Sequence, residues 1–338
     1  MVLLIGYLVL YFMTPLYIMP VIDKMQRENL RSLVSSIVKD SSNDLEKARK
    51  IYEWMINPEC MKNVYREYKI DNYIVFLFKP PFVCLRLTGE KYPLWVLFSR
   101  CGACMEYALL YREIANAANL TVRSVHNPGE DHNWDEVLVG DKWMIVDASW
   151  PIFDPSPSFY EVSRGLNVSY VYAQYPNGSI IDLTKRYTNT SLVRIIVLNK
   201  NNCPIENAIV KFYSLNLNNV EREIRHLECL TDVNGSCEVR LGEGKYKIKV
   251  GKFNNLIGYF SETSLELVEN DSKEVILVLH EDLMHLIMSP VVENFALKML
   301  DVSIGFVWLF FLNLLIEMIS LTLSNINGLR KLVKALER

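Results

Sequence analysis

Two cysteines three residues apart, Cys101 and Cys104, stand in "SRCGACMEYALLYREIA" (99–115), where the apolar segment "YPLWVLF" gives way to a run with helical spacing. A cysteine in the first turn of a helix lies near the positive end of the helix dipole, which lowers its pKa and favours the nucleophilic thiolate. The same pair also fits a dithiol redox centre, half of a metal site, or two ordinary buried cysteines, so other residues must decide. Further along, "HNWDEVLVG" and "KWMIVDAS" each alternate apolar and polar residues, and Gly140-Asp141 between them is a turn signal. That pattern predicts a β-hairpin. A turn centred there sets Leu138 opposite Trp143, Glu136 opposite Ile145 and Trp134 opposite Asp147. Alternation then puts His132, Trp134, Glu136, Ile145 and Asp147 on one face of the sheet. His132 and Asp147 become diagonal neighbours, with backbones about 7–8 Å apart and side chains able to meet.

A thiol at a helix start, with a His and an Asp sharing a strand face, is the set that nucleophilic acyl transfer requires. The imidazole takes or shares the thiol proton, the carboxylate fixes its tautomer and holds the imidazolium, and the thiolate attacks a carbonyl. Each residue alone is unremarkable; the joint arrangement carries the reading, with Cys104, His132 and Asp147 as the catalytic candidates. Trp134 and Glu136, on the same face, are expected to support them by packing and hydrogen bonding. A second oxyanion donor besides the Cys104 backbone N–H is needed, and Trp95 and Tyr107 are the candidates. In the rival reading, a thioredoxin-like dithiol, Cys101 is the nucleophile and His132 and Asp147 have no role. A zinc site would need a second C-x-x-C or an H-x-x-x-H, which the sequence lacks, so no metal and no cofactor is expected.

The elements around this set read as an α+β domain. Residues 24–60 are predicted helical, with "SNDLEKARKIYEWMI" opening on a Ser/Asn/Asp cap and placing Leu45, Ala48, Ile51, Tyr52 and Met55 on one stripe. Residues 99–160 combine one helix with strands. From 192 to 280 the chain reads as short strands separated by Asn/Gly turns, the pattern of a small β-sandwich. Cys229 and Cys237 flank Val233 symmetrically and are expected to face each other across a hairpin.

"RCGACMEYALLYREIANAANLTVRSV" followed by "HNWDEVLVGDKWMIVDASWP" resembles the core of the transglutaminase-like superfamily, and the C-x-E-aromatic-Ala detail is most similar to its peptide N-glycanase branch. The resemblance covers roughly residues 40–160. It implies a papain-like fold and maps nucleophile, base and orienting acid onto Cys104, His132 and Asp147. The paired C-x-x-C zinc ligands of typical eukaryotic glycanases are absent, and the chain is too short for the multidomain calcium-dependent transglutaminases. "IIVLNKNNCPIENAIVKFY" with "TDVNGSCEVRLGEGKYKIKV" is similar to carboxypeptidase regulatory-like, transthyretin-type sandwiches, which bind or space rather than catalyse; Asn202 stands where their first glycine is usual.

The 338 residues carry a formal net charge of −3, which points away from a nucleic-acid surface. Half are hydrophobic, and the excess lies at the two ends. Residues 2–22 hold no charge and are long enough to cross a bilayer as a helix, and 302–323 form a second span interrupted by Asn313 and Glu317. A thiol domain over 24–185, the sandwich over 192–280, an amphipathic helix over 283–300 and a basic tail over 324–338 complete the expected order. Arg330, Lys331, Lys334 and Arg338 against Glu337 make the tail cytoplasmic by the positive-inside rule, and the central domains external. Lys24, Arg27 and Arg31, just after the first span, pull the other way. Seven cysteines and six N-x-S/T sequons, at Asn119, Asn167, Asn177, Asn189, Asn234 and Asn270, fit an external domain. A disulfide from Cys101 to Cys60 or Cys84 is one option for the second thiol. The expectation is therefore a membrane-anchored thiol enzyme acting at amide bonds of a protein, peptide or glycopeptide, with the lipid bilayer as its other partner. The alternative is a non-catalytic adhesion or assembly module that has kept the fold.

Overall fold

The computed structural model describes residues 19–63, 92–164, 167–254 and 257–281. These fall into two compact units, one comprising those up to Val250 together with 261–278, the other those of 251–260 and 279–281. In the second unit, Tyr259 pairs with Glu281 and Phe260 with His280. All residues discussed as a site belong to the first.

Its N-terminal part begins with two helices, α1 (Met19–Ile37) and α2 (Asp44–Ile56). Asn43 caps α2 as expected, its side-chain oxygen accepting the Glu46 N–H at 2.9 Å and so satisfying an end-of-helix donor. Ala48, Ile51, Tyr52 and Met55 are buried along the predicted stripe, whereas Leu45, in the first turn, remains exposed. A short helix, α3 (Trp95–Ser99), and a two-residue strand, β2 (Cys101–Gly102), lead into α4 (Cys104–Ala117). β2 runs parallel to β1 (Lys62–Asn63).

The remainder of this part is a six-stranded sheet, order β6-β5-β4-β3-β7-β8. It comprises β3 (Thr121–Asn127), β4 (His132–Val139), β5 (Lys142–Asp147), β6 (Ile152–Phe153), β7 (Tyr172–Gln174) and β8 (Ile180–Asp182). Strands β4 and β5 form the predicted hairpin in the predicted register, Glu136 opposite Ile145 and Leu138 opposite Trp143. Gly140 takes φ +58°, the left-handed conformation that a tight hairpin turn demands. Alternation sends the two sets of side chains to different cores. Val122, Val137, Met144 and Val146 pack with Tyr107, Leu110, Tyr111 and Ile114 of α4. Val125, Trp134 and Ile145 pack on the other face with Tyr160, Val171 and Tyr187. Tyr160 comes from α5 (Pro157–Arg164) and Tyr187 from α6 (Thr184–Tyr187). With Ile114 fully buried, its truncation to alanine would cost about 2–5 kcal/mol.

Strands occupy the rest of the described chain, from β9 (Ser191–Leu198) onward. One sheet has the order β12-β9-β15, with β12 (Ser236–Leu241) antiparallel and β15 (Ser272–Val278) parallel to β9. A second contains β11 (Arg222–Leu230), β10 (Ile209–Ser214), β13 (Gly244–Asn254) and β14 (Ile257–Leu267), in that order. Cys229 and Cys237 are disulfide-bonded, but not across a hairpin: β11 pairs with β10 and β12 with β9, so the bridge ties one sheet to the other. The segment between them turns at Asp232, whose carboxylate accepts the N–H groups of Asn234 and Ser236 and redirects the chain.

Among the described residues no helix is long and apolar enough to cross a membrane. Of the first expected span only 19–22 are described; they open α1, which goes on through Asp23, Lys24 and Arg27. The second span, the amphipathic helix at 283–300 and the basic tail lie outside the described residues.

Candidate active site

The nucleophile candidate is the first residue of α4, as the sequence predicts. Ala103, just before it, gives its N–H to the Glu106 carboxylate at 2.9 Å, half of a capping box. Gly102 permits this: a Cβ there would lie 2.5 Å from the Glu106 Cβ. The first N–H groups of α4, including that of Cys104, have no acceptor within the helix, which makes this end a cradle for negative charge. Cys104 is 7% exposed, and its Sγ approaches the main-chain oxygen of Asp131 and the Nδ2 of Asn133, each at 3.9 Å. The sulfur therefore lies against the two residues that flank His132.

His132 and Asp147 meet as the register requires, with Nε2 2.6 Å from Oδ2. Because Nε2 is committed to the carboxylate, Nδ1 is the nitrogen that must act as base. The His132 ring also stacks on Trp134, with centroids 5.7 Å apart. Asp147 is far better held than its place at a strand end implies. Its Oδ2 also accepts Tyr160 OH at 2.7 Å, and its Oδ1 accepts the Ser149 hydroxyl at 2.7 Å and the N–H groups of Ser149 and Trp150 at 3.0 and 2.9 Å. Burial alone would raise the Asp147 pKa; the charge and hydrogen bond of His132, with the donors from Ser149 and Trp150, outweigh it and hold the carboxyl below its usual range.

Glu136 lies on the same face and is fully buried, but it serves as the centre of an ion-pair cluster. It takes Arg123 Nε at 2.7 Å, Arg186 Nε at 2.8 Å and Tyr187 OH at 2.6 Å. The Trp134 indole N–H donates to the same Tyr187 hydroxyl at 2.9 Å. Trp134 and Glu136 thus pack and hydrogen-bond within the face they share with His132. Trp95 and Tyr107 are both buried, and Trp95 packs on Phe98. The side-chain amide at the sulfur is that of Asn133, a residue that strand alternation puts on the face opposite His132 and that sequence reasoning passed over. Cys60 is a free thiol, which removes the Cys101–Cys60 disulfide; Cys84 lies outside the described residues.

A cleft of about 930 Å³ opens beside His132, Asp131 and Asn133. Tyr172 and His126 line it together with Arg222 and His226 of β11. Strand β11 bulges there: pairing jumps from Lys211–Glu228 to Tyr213–Glu223, and His226 takes φ +64°, a costly conformation for a side-chain-bearing residue. The bulge carries His226 onto the edge of the Tyr172 ring, 4.9 Å between centroids. The turn before His132 is held through Glu130, which accepts from Ser169 Oγ at 2.8 Å, from Ser214 Oγ at the end of β10 at 3.1 Å and from Asn216 Nδ2 at 2.9 Å.

Residues 31–148 match the transglutaminase-like superfamily core. The chain carries a transglutaminase-like domain. The span contains Cys104, His132 and Asp147, and it begins with the helices that pack behind α4. Fold resemblances extend to a candidate protease from Parabacteroides distasonis, 15% identical, with TM-score 0.31 over 57% of this chain and 34% of that one. They include a candidate cysteine protease from Cytophaga hutchinsonii, 12% identical, with TM-score 0.28 over 73% and 55%, and the Bacillus anthracis TIE protein, 12% identical, with TM-score 0.22 over 48% and 31%. The chain thus spans about a third of the Parabacteroides protein's length. No match is found among curated proteins. The transglutaminase-like domain, rather than the strands that follow it, supplies the thiol, the imidazole and the carboxylate.

Proposed function

We propose that the protein is a cysteine enzyme that hydrolyses or transfers at amide bonds of a protein, peptide or glycopeptide through a Cys104 thioester. The observation that carries this reading is the His132–Asp147 pair at 2.6 Å beside a thiol that heads α4 and touches the residues on either side of that histidine. Cys104 Sγ attacks the carbonyl carbon after yielding its proton to His132 Nδ1. Asp147 stabilises the resulting imidazolium, which protonates the leaving nitrogen as the C–N bond breaks. Water or an acceptor amine, deprotonated by the same imidazole, then releases the acyl group. The strands after residue 191 act as a binding or spacing module that contributes to the lining of the cleft. We place the domain outside the cell, held by spans at 2–22 and 302–323 with a cytoplasmic tail; the Cys229–Cys237 disulfide agrees with an oxidising compartment.

Labelling with iodoacetamide near neutral pH, followed by peptide mapping, tests the chemistry. Cys203 is exposed and Cys104 buried, so labelling by exposure alone would favour Cys203. Faster labelling of Cys104 is expected, and its loss in His132→Ala. Preferential labelling of Cys101 would return the dithiol reading, and preferential labelling of Cys203 would remove the activated thiol.

A further inference from the structure

Thioester formation places negative charge on the substrate oxygen, and a site of this kind needs two preorganised donors at that point. Helix α4 offers one in the Cys104 N–H. Asn133 lies in position to offer the other, since its Nδ2 donates toward Sγ at 3.9 Å while its Oδ1 lies 2.5 Å from Nδ1 of His126. The sheet dictates this contact: His126 and Asn133 are paired directly across β3 and β4, so their side chains leave the same face together. The His126 ring is in turn fixed by stacking on Tyr172, with centroids 4.8 Å apart and planes 18° from parallel.

The tautomer of His126 and the direction of the amide go together. Burial lowers its pKa, the Asn133 bond opposes this, and the nearby charges of Arg112 and His226 lower it further, to about 4. At neutral pH the ring has a single N–H. A neutral imidazole facing an amide oxygen must present that hydrogen from Nδ1, which leaves the amide nitrogen turned to the sulfur.

We propose that Asn133 is the second oxyanion donor of the Cys104 site, and that His126 is a positioning residue that aims it. The inference rests on the thioester reading. As the Sγ–C bond forms, the carbonyl π pair moves onto oxygen, which accepts hydrogen bonds from Cys104 N–H and Asn133 Nδ2. As the carbonyl re-forms, the bond to the leaving group breaks, its electron pair departs with that group, and the donors relax back toward sulfur. Asn133 and His126 both line the cleft, so an acyl group entering through it brings its carbonyl to the amide.

Two reactions of the same thiol separate this role from a general effect on Cys104. Acylation by p-nitrophenyl acetate passes through an oxyanion; alkylation by iodoacetamide, a displacement at saturated carbon, does not. Asn133→Ala should lower the acylation rate by about 10²–10³-fold. Alkylation of Cys104 should change by less than about 3-fold, which also reports a folded site, a sub-kcal/mol effect. Asn133→Leu, which keeps the bulk without the donor, should behave alike and replaces the alanine variant should that one not fold. His126→Asn keeps an N–H at the place of Nδ1 and should acylate near the wild-type rate, whereas His126→Phe should be slowed nearly as much as Asn133→Ala. Unchanged acylation in both Asn133 variants, or an equal fall in both reactions, overturns the role of Asn133. Equal rates in His126→Asn and His126→Phe overturn that of His126. Failure of the wild-type protein itself to acylate, with Cys104 still alkylated, overturns the thioester reading and this inference together.

Discussion

The two faces of the six-stranded sheet treat buried acids in opposite ways. On the face with Trp134 and Tyr160, Asp147 accepts from five groups and stays ionised beside an imidazole. On the α4 face, Asp135 is equally buried but among the described residues is met only by Ser124 Oγ at 3.4 Å, its Oδ2 having no hydrogen-bond partner there. Burial, which the charge of Arg112 and the Ser124 bond only partly offset, and to which the charge of Asp147 adds, pushes its pKa well above the usual range. The charge of a buried strand carboxylate is thus favoured or opposed according to the number of donors its neighbours supply, and Asp147 has many where Asp135 has one. The thiol comes from the helix on the other face. The two halves of the site meet at the start of β4, where the sheet ends and His132 and Asn133 stand side by side.

The contrast breaks most completely when one half is removed. Cys104→Ser or His132→Ala should lower kcat by about 10⁴–10⁶-fold with little change in melting temperature, measured as p-nitrophenyl acetate turnover. Retention of more than a tenth of the activity in either would remove that residue from the chemistry. Asp147→Asn comes next, at about 10³–10⁴-fold in kcat. Its new amide N–H₂ must take the place of one carboxylate oxygen, facing either the Ser149 and Trp150 donors or His132 Nε2 and the Tyr160 hydroxyl, so a fall in melting temperature should accompany the loss.

Glu136→Gln sharpens the difference between holding the face together and acting on substrate. It leaves Arg123 and Arg186 without their buried partner, and should cost about 3–5 kcal/mol in urea unfolding, with a far smaller effect on kcat of the folded protein than Asp147→Asn. An acid titration of stability addresses His126. Its folded pKa of about 4 lies below the ordinary 6.5, so protonation favours the unfolded chain. Its contribution is present above pH 6.5 and is lost as pH falls toward 4. That loss amounts to about 3 kcal/mol and should be missing in His126→Asn. The smallest effect belongs to the other face. Asp135→Asn should change stability by no more than about 1 kcal/mol, because burial opposes the charge of the acid it replaces and a single long hydrogen bond is at stake; a large loss there would mean that Asp135 is held as an ion paired with Arg112.

The sequence by itself determined the helix that begins at Cys104, the hairpin register and the meeting of His132 with Asp147. Each follows from local rules: the periods of helix and strand, and a Gly-Asp turn that fixes which residues stand opposite. What tertiary structure decided is everything that depends on segments far apart in the chain. Tyr160 reaches Asp147 because α5 folds back over the sheet, and Arg186 and Tyr187 reach Glu136 from some fifty residues away. No periodicity in β4 announces those partners. The place of Asn133 was legible only as a strand position on the face opposite His132; that α4 covers this face, how it docks against the sulfur, and the histidine on the neighbouring strand are set by the tertiary structure. The disulfide teaches the same lesson: spacing paired Cys229 with Cys237, while only the sheets' own partners showed that the bond joins two sheets rather than closing a hairpin. Local sequence fixes what a residue's neighbours along one element are; burial, charge and orientation are set by what packs on it from elsewhere.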